Sequence, residues 1–211
     1  MSYNTTYECS LCKNTWEDFY NNNFLYCSTC QSISRKLEFF LSPEKEKERY
    51  EQHNNDIYDV RYQEFVSPIV QRIQNHHPIS ERGLDFWAWS GPVITYLLEK
   101  QWYEMYLYDP FFHKHPNILE KKYDFIIACE VVEHFHDPFK EFKSLYDLLQ
   151  PGGKLYIMTD LYSPGVDFWK WYYKNDPTHV FFYSDETFHW IQQQYGWKKY
   201  SRKNRCIILE R

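Results

Sequence analysis

Two sets of side chains in this sequence have the types and spacing to do chemistry. The first is Cys9, Cys12, Cys27 and Cys30, two C-x2-C knuckles separated by fourteen residues. Four thiolates so spaced can close tetrahedrally around one Zn2+. The metal would supply folding free energy that a ribbon of roughly thirty residues cannot find in its own core. Two disulfides are the competing use of the same residues. Lys13 and Gln31 follow the second cysteine of each knuckle, where glycine often serves the turn, so looser turns are expected. Trp16, Phe19, Tyr20, Phe24 and Tyr26 between the knuckles are expected to pack the ribbon. Cys129 and Cys206 lie in the apolar runs DFIIACEVV and RCIILE and read as inert strand residues.

The second set is Glu130, Glu133, His134, His136 and Asp137 in EVVEHFHD, with His179 in DPTHVFF. If the segment is helical, E-x-x-E-H turns two carboxylates and an imidazole towards one point. Two Glu and two His suit Mg2+, Mn2+ or Zn2+. Without a metal the same groups offer general bases. Structural uses compete: Glu133 as a helix cap and His134 as a packed ring.

The elements that must position these groups follow from periodicity. Helices are expected from Ser42-Pro43-Glu44 onward, over Ile57–His77, and over Pro92–Lys100, Pro138–Leu149 and Asp185–Gln194. Strands are expected at GLDFWA, YEMYLYD, YDFIIAC and GKLYIMTD, with a closing hairpin over Trp197–Ser201 and Arg205–Glu210. Apolar strands alternating with amphipathic helices imply a mostly parallel sheet, whose ligands bind at the carboxyl ends of the strands.

Composition narrows the classes. A net charge of −5 argues against broad electrostatic binding of nucleic acid. No apolar run reaches the ~18 residues of a membrane span, and MSYNTTYECSLC lacks the features of a signal peptide, so a cytoplasmic protein is expected. Glycine is scarce: 6 residues against 8 tryptophans.

In order, LDFWAWSGPV, YLYDP, YDFIIACEVVEHFHDP and LQPGGKLYIMT resemble the motifs of class I S-adenosylmethionine-dependent methyltransferases. The run WYYKNDPTHVFFYSDETFHWI and the cysteine-rich head are similar to a bacterial subfamily with an N-terminal zinc ribbon, akin to methyltransferase domain families 23 and 11 and related to quinol O-methyltransferases. The resemblance implies an α/β, Rossmann-like sheet of seven strands, ordered 3-2-1-4-5-7-6 in the family's own strand numbering. Thirteen residues separate Asp109 from Tyr123, so the family's third strand is expected to be rudimentary. The implied layout is a zinc ribbon over 1–35, a helical linker over 36–80 and the methyltransferase domain over 81–211.

The resemblance also assigns roles. Asp85, Phe86, Trp87, Ala88, Trp89 and Gly91 would lie beside the methionine part and ribose of S-adenosylmethionine. Asp109, followed by Pro110, would accept the ribose hydroxyls. Cys129 and Glu130 would flank the methyl-transfer centre. Glu130, Glu133, His134 and His179 would be catalytic, with Mg2+ or another divalent ion as a further option. The expected partner is a small hydroxylated acceptor, with no membrane and no nucleic acid. Two alternatives stand: a degenerate, non-catalytic interaction protein, and an RNA 3′-end 2′-O-methyltransferase, to which the basic tail Lys198, Lys199, Arg202, Lys203 and Arg205 would lend itself.

One departure bears on all of this. The family loop reads D-x-G-x-G-x-G, and here Trp87 and Trp89 replace two glycines; Trp102 replaces a third in a later turn. Three readings are open: a degenerate protein, a rearranged loop, or glycine codons rendered as tryptophan. UGA is read as glycine in some bacterial lineages, so the nucleotide sequence decides the last.

Overall fold

Six of the seven residues of the strand at Tyr123–Cys129 are apolar, and it lies at the centre of the sheet in the computed structural model, which describes residues 8–52 and 56–211. Residues 1–7 of the expected ribbon and 53–55 lie outside the described residues. The strands are β1 (Glu17–Phe19), β2 (Phe24–Tyr26), β3 (Ile33–Arg35), β4 (Arg82–Phe86), β5 (Glu104–Tyr108), β6 (Tyr123–Cys129), β7 (Leu149–Met158), β8 (Phe181–Phe182), β9 (Lys199–Lys203) and β10 (Cys206–Glu210). The helices are α1 (Pro43–Glu51), α2 (Val60–His76), α3 (Val93–Glu99), α4 (Pro138–Leu148) and α5 (Asp185–Tyr195).

The main sheet runs β5-β4-β6-β7-β10-β9, with β5, β4, β6 and β7 parallel and the last two antiparallel. This is the expected order with the rudimentary strand reduced to a 3-10 turn at Pro116–Glu120. Strand alternation then divides the core. α2 and α3 cover one face, packing Ile69, Ile73 and Leu98 on Phe125, Ile127 and Ile208. α4 and α5 cover the other, packing Phe142, Leu145 and Phe188 on Ile126, Ile157 and Ile207. Gly83 lets β4 lie close to β6: a Cβ there would stand 2.2 Å from the Phe125 ring. Among the described residues, no helix is long and apolar enough to cross a membrane.

The ribbon does not keep a core of its own, as a separate unit would. β3 pairs antiparallel with β8, Ile33 opposite Phe182, which makes a four-stranded sheet β1-β2-β3-β8. Cys9, Leu11, Cys27 and Cys30 belong to the same apolar cluster as Phe142 and Ile157. The ribbon aromatics pack on one another, Phe19 on Tyr20 and Tyr26 and Tyr20 on Phe24, and also on the rest of the chain: Trp16 meets Phe181 and Phe24 meets Phe168 and Phe182. The knuckle turns are tight rather than loose. Lys13 and Gln31 adopt φ of 64° and 54°, and their N–H groups donate to Cys9 O and Cys27 O at 2.9 and 2.7 Å.

Candidate active site

The parallel strands deliver their loops to one edge of the sheet. After β4 the chain folds over the end of β5, where the N–H groups of Trp87 and Ala88 both donate to Tyr108 O at 2.7 and 3.1 Å. Asp109, 2% exposed, follows β5. One of its oxygens accepts from Phe111 N at 2.7 Å and Phe112 N at 2.9 Å, and the other from Trp89 N at 3.0 Å. Asp109 therefore pins the loop after β4, a role the sequence did not suggest; Pro110 starts the turn it holds. Asp85, inside β4, accepts from Thr95 Oγ1 at 2.8 Å. Burial pushes its carboxyl up to about 7.

Trp87 and Trp89 have φ of 58° and 57°, and Trp102 has 68°. The left-handed region favours glycine, and a bulky residue there is an outlier. All three residues that replace the family's glycines thus keep a glycine's backbone conformation, and the side chains alone differ. Trp87 stacks on His134 at 6.5 Å and meets Phe135 edge-on at 5.8 Å. Trp89 packs edge-on against Tyr50 at 4.7 Å and His134 at 5.4 Å. The loop backbone takes the course that glycines would allow, while the indoles pack on the rings of Tyr50, His134 and Phe135. Phe86 and Ala88 are buried, and Gly91 leads into α3.

β6 ends at Cys129, whose buried thiol is pushed well above its ordinary pKa by desolvation. Glu130 follows with φ 53° and donates its N–H to Met158 O at 2.8 Å. Its two oxygens accept from Arg205 Nη2 at 2.9 and 2.8 Å, and burial outweighs that cation to push the carboxyl up to about 7. Glu133 is fully buried in a 3-10 turn, Val132–His134, rather than capping α4, which Asp137 caps. Glu133 accepts from Thr159 Oγ1 at 3.0 Å and from the Tyr173 hydroxyl. Desolvation, then the charge of Glu130, pushes Glu133 up to about 8.

The two histidines are oriented by carbonyls. His134 Nδ1 donates to Thr178 O at 2.9 Å, and His179 Nδ1 donates to Tyr173 O at 2.7 Å. A carbonyl only accepts, so Nδ1 carries the proton and Nε2 holds the lone pair in each neutral ring. One ligand atom from each of Glu133, His134 and His179 lies within 4.8 Å of the others. Glu130 stands outside this group, held by Arg205, and is joined to it by the Tyr173 hydroxyl, which donates to Glu130 at 3.3 Å and also to Glu133. His136 is elsewhere, donating to Glu46 at 2.8 Å.

A cavity of about 590 Å³ opens onto these groups, lined by Trp89, Glu130, His134, His179, Tyr173 and Arg205 among others. Sequence reading missed Tyr50, Tyr173 and Arg49 here. Tyr173 lay in a run noted only for resemblance, and no local pattern marks a tyrosine that will bridge two glutamates 40 and 43 residues away.

The four ribbon cysteines are free thiols with their sulfur atoms within 4.8 Å of one another. Cys9–Cys30 and Cys12–Cys27 are 3.7 and 3.3 Å apart. A Zn–S bond of about 2.3 Å gives a tetrahedral edge of about 3.8 Å, so the donor set fits that ion.

A family model described as a methyltransferase domain matches residues 58–202. No curated protein matches the sequence significantly. Among solved structures, the chain is similar to 1,6-didemethyltoxoflavin-N1-methyltransferase of Burkholderia thailandensis, with bound 1,6-didemethyltoxoflavin and S-adenosylhomocysteine. That match has a TM-score of 0.55 and 13% identity, and covers 86% of this chain and 96% of that one. A SAM-dependent methyltransferase of Archaeoglobus fulgidus gives 0.51 at 16% identity, covering 69% and 94%. Human N-acetylserotonin methyltransferase in complex with SAM gives 0.53 at 11% identity, covering 71% and 53%. This chain spans about half the length of several O-methyltransferases it matches, 53% and 55% of two others.

Proposed function

The chain belongs to the methyltransferase domain family and is a class I S-adenosylmethionine-dependent methyltransferase, and from that premise we propose that it methylates a hydroxyl of a small acceptor. The observation that carries this reading is the Glu133–His134–His179 group beside a cavity of about 590 Å³. These three residues would hold a divalent ion, which would draw in an acceptor hydroxyl and lower its pKa. The backbone bonds at both Nδ1 atoms aim the histidines before any ligand arrives, as outer-shell carbonyls do at metal sites. Tyr62, Phe65 and Tyr172 give the cavity flat walls suited to a ring-bearing acceptor.

The step itself is an in-line displacement: the acceptor oxygen bonds to the methyl carbon as the carbon–sulfur bond breaks. The hydroxyl proton has a place to go in Glu130, a carboxylate on the cavity wall whose charge Arg205 balances. Asp109 and the loop after β4 would seat the cofactor, and Cys9, Cys12, Cys27 and Cys30 would hold a structural Zn2+.

Calorimetry with S-adenosylhomocysteine, then transfer of a labelled methyl group to a panel of hydroxylated metabolites with and without added Mg2+, Mn2+ or Zn2+, tests this. Transfer to hydroxyls, lost in Glu133→Gln with the cofactor still bound, is expected. Cofactor binding with transfer only to nitrogen or carbon would overturn the O-methylation reading.

A further inference from the structure

A second cavity, of about 580 Å³, lies on the far side of Arg205 and shares Phe65 and Arg205 with the first. It is lined by Arg72, His76, Lys203 and Arg205 and by no acidic residue. It continues along α2 into a smaller groove of about 310 Å³ lined by Arg72, His76, Lys154, Lys199, Ser201 and Glu210 among others. In a chain of net charge −5 this concentration of cations is against the trend.

Strand geometry explains how the cations collect. Alternation along β9 puts Lys199, Ser201 and Lys203 on one face. Their partners on β10 are Glu210, Ile208 and Cys206, and the next row on β7 is Lys154, Tyr156 and Met158. That is the face α2 covers with Ile69 and Ile73, but α2 lies over β7 and β10 and leaves β9 open. From α2, Phe65, Pro68, Arg72 and His76 follow helical spacing and form the opposite wall. On the other face of β9 the cation Arg202 is neutralised by Asp185 at 3.2 Å. On the grooved face, Arg72, Lys199 and Lys203 have no ionic partner among the described residues, and Lys154 has only Glu210, at 3.9 Å. The buried Nε of Arg205 also has no hydrogen-bond partner among the described residues.

We propose that this groove binds a phosphate-bearing tail of the methyl acceptor, whose hydroxyl reaches Glu133, His134 and His179 through the shared wall of Phe65 and Arg205. This rests on the O-methylation reading for the head of the acceptor, but the tail site stands on its own geometry. Lys199 and Lys203 are separated by about 13 Å along the strand, room for more than one anionic group and too spread for a single carboxylate. Lysine and arginine at the rim of an open groove recognise phosphate oxygens by charge and N–H donation, while Phe65, Pro68 and Met158 form its apolar floor.

The probe is inorganic pyrophosphate, titrated calorimetrically at low and moderate salt. One site per chain is expected, weakened by salt. Arg72→Gln with Lys203→Gln should weaken it at least tenfold, and Arg202→Gln on the opposite face should leave it unchanged. Thermal melts establish that each variant is folded, and the single change Lys203→Glu serves if the double variant is not. S-adenosylhomocysteine affinity is measured in parallel. Its loss with pyrophosphate binding intact would count against the methyl-transfer reading alone. No pyrophosphate binding, or binding indifferent to Arg72 and Lys203, would overturn the groove proposal. So would a short single-stranded oligonucleotide that binds more tightly than pyrophosphate through the same residues, since it would assign the groove to nucleic acid.

Discussion

α3 and α5 end in the same way with different residues. After α5, Gly196 sits at φ 73° and Trp197 N–H donates to Gln192 O at 3.0 Å. After α3, Trp102 sits at φ 68°, its N–H donates to Glu99 O at 2.9 Å, and Tyr103 N–H donates to Leu98 O at 3.2 Å. Both are Schellman-type closures, in which the left-handed residue is ordinarily glycine. The backbone asks for the same residue at both places and receives it once. The loop after β4 repeats the situation at Trp87 and Trp89 with a further consequence. At the knuckles, exposed Lys13 and Gln31 also stand in the left-handed region, but their side chains lie towards solvent. At the loop the side chains press on His134. A left-handed backbone is thus common to several sites, and among the tryptophans only Trp87 and Trp89 pack their side chains against the candidate site.

The largest expected effect belongs to the knuckles. Because the ribbon shares its core with the main sheet, Cys27→Ser should not leave that sheet untouched, as separate cores would. Structural zinc sites in peptides are worth about 10–16 kcal/mol, comparable to the whole stability of a domain. Hydrogen exchange should show loss of protection spreading from β1–β3 into β8 and the 3-10 turn at Val132–His134. Protection unchanged beyond β3 would restore the picture of two independent units. Elemental analysis of the purified protein should find one zinc per chain.

Next is the loop. Trp87→Gly with Trp89→Gly removes two strained residues and two indoles while keeping the backbone path. Strain and overpacking each cost on the order of 1–3 kcal/mol, so S-adenosylhomocysteine should bind ~100-fold more tightly or better. Tight binding by the tryptophan-bearing protein would mean that the indoles swing clear. If the source organism inserts glycine at these codons, the gene carries UGA at 87, 89 and 102, and the intact mass of the native protein shows it. UGG at all three would make the tryptophans genuine and leave the strain to be tested by the variants.

Most of the sheet was legible in the sequence because its signals are local. YDFIIAC marks β6 to the residue, and Pro138 marks the start of α4, although its cap is Asp137 and not the Glu133 that the sequence offers. The glycine sites were legible too, through motif spacing, and φ at all three agrees. What was not legible is what depends on long closure. Nothing in the two residues of β8 announces pairing with Ile33–Arg35, nearly 150 residues earlier. The hold of Arg205 on Glu130 is of the same kind, so Glu130 was grouped with the metal-type residues when the fold gives it an ion pair.

The loop region also holds a buried carboxyl at the end of β4. The Asp85 carboxyl, raised from 3.8 to about 7, binds protons more readily folded than unfolded. Its contribution to stability should therefore fall as pH rises from about 4 to about 7, on top of like contributions from Glu130 and Glu133, which are also raised. Asp85→Asn should reduce the slope of stability with pH, leaving the part due to Glu130 and Glu133, and raise stability at pH 8 by on the order of 2 kcal/mol, read from urea melts at pH 5 and pH 8. An unchanged slope would mean that the carboxylate stays ionised at pH 5.

The smallest effect isolates strain from obstruction. Trp102 is 84% exposed, so replacing its side chain forfeits almost no burial. A left-handed L-residue costs roughly 1–2 kcal/mol, while glycine adds roughly 0.5–1 kcal/mol of unfolded-chain entropy. Trp102→Gly should thus stabilise the protein by a net of about 0.5–1 kcal/mol, seen as a rise in the urea midpoint at constant m-value. The change is remote from the cavity beside His134, so S-adenosylhomocysteine affinity should not move. The mirror change Gly196→Trp at the end of α5 should cost a similar amount, since a Cβ there meets nothing within 4 Å and only the conformation is penalised. If Trp102→Gly tightens cofactor binding as much as the loop variants do, relief of strain alone accounts for both, and the indoles at 87 and 89 are not the obstruction.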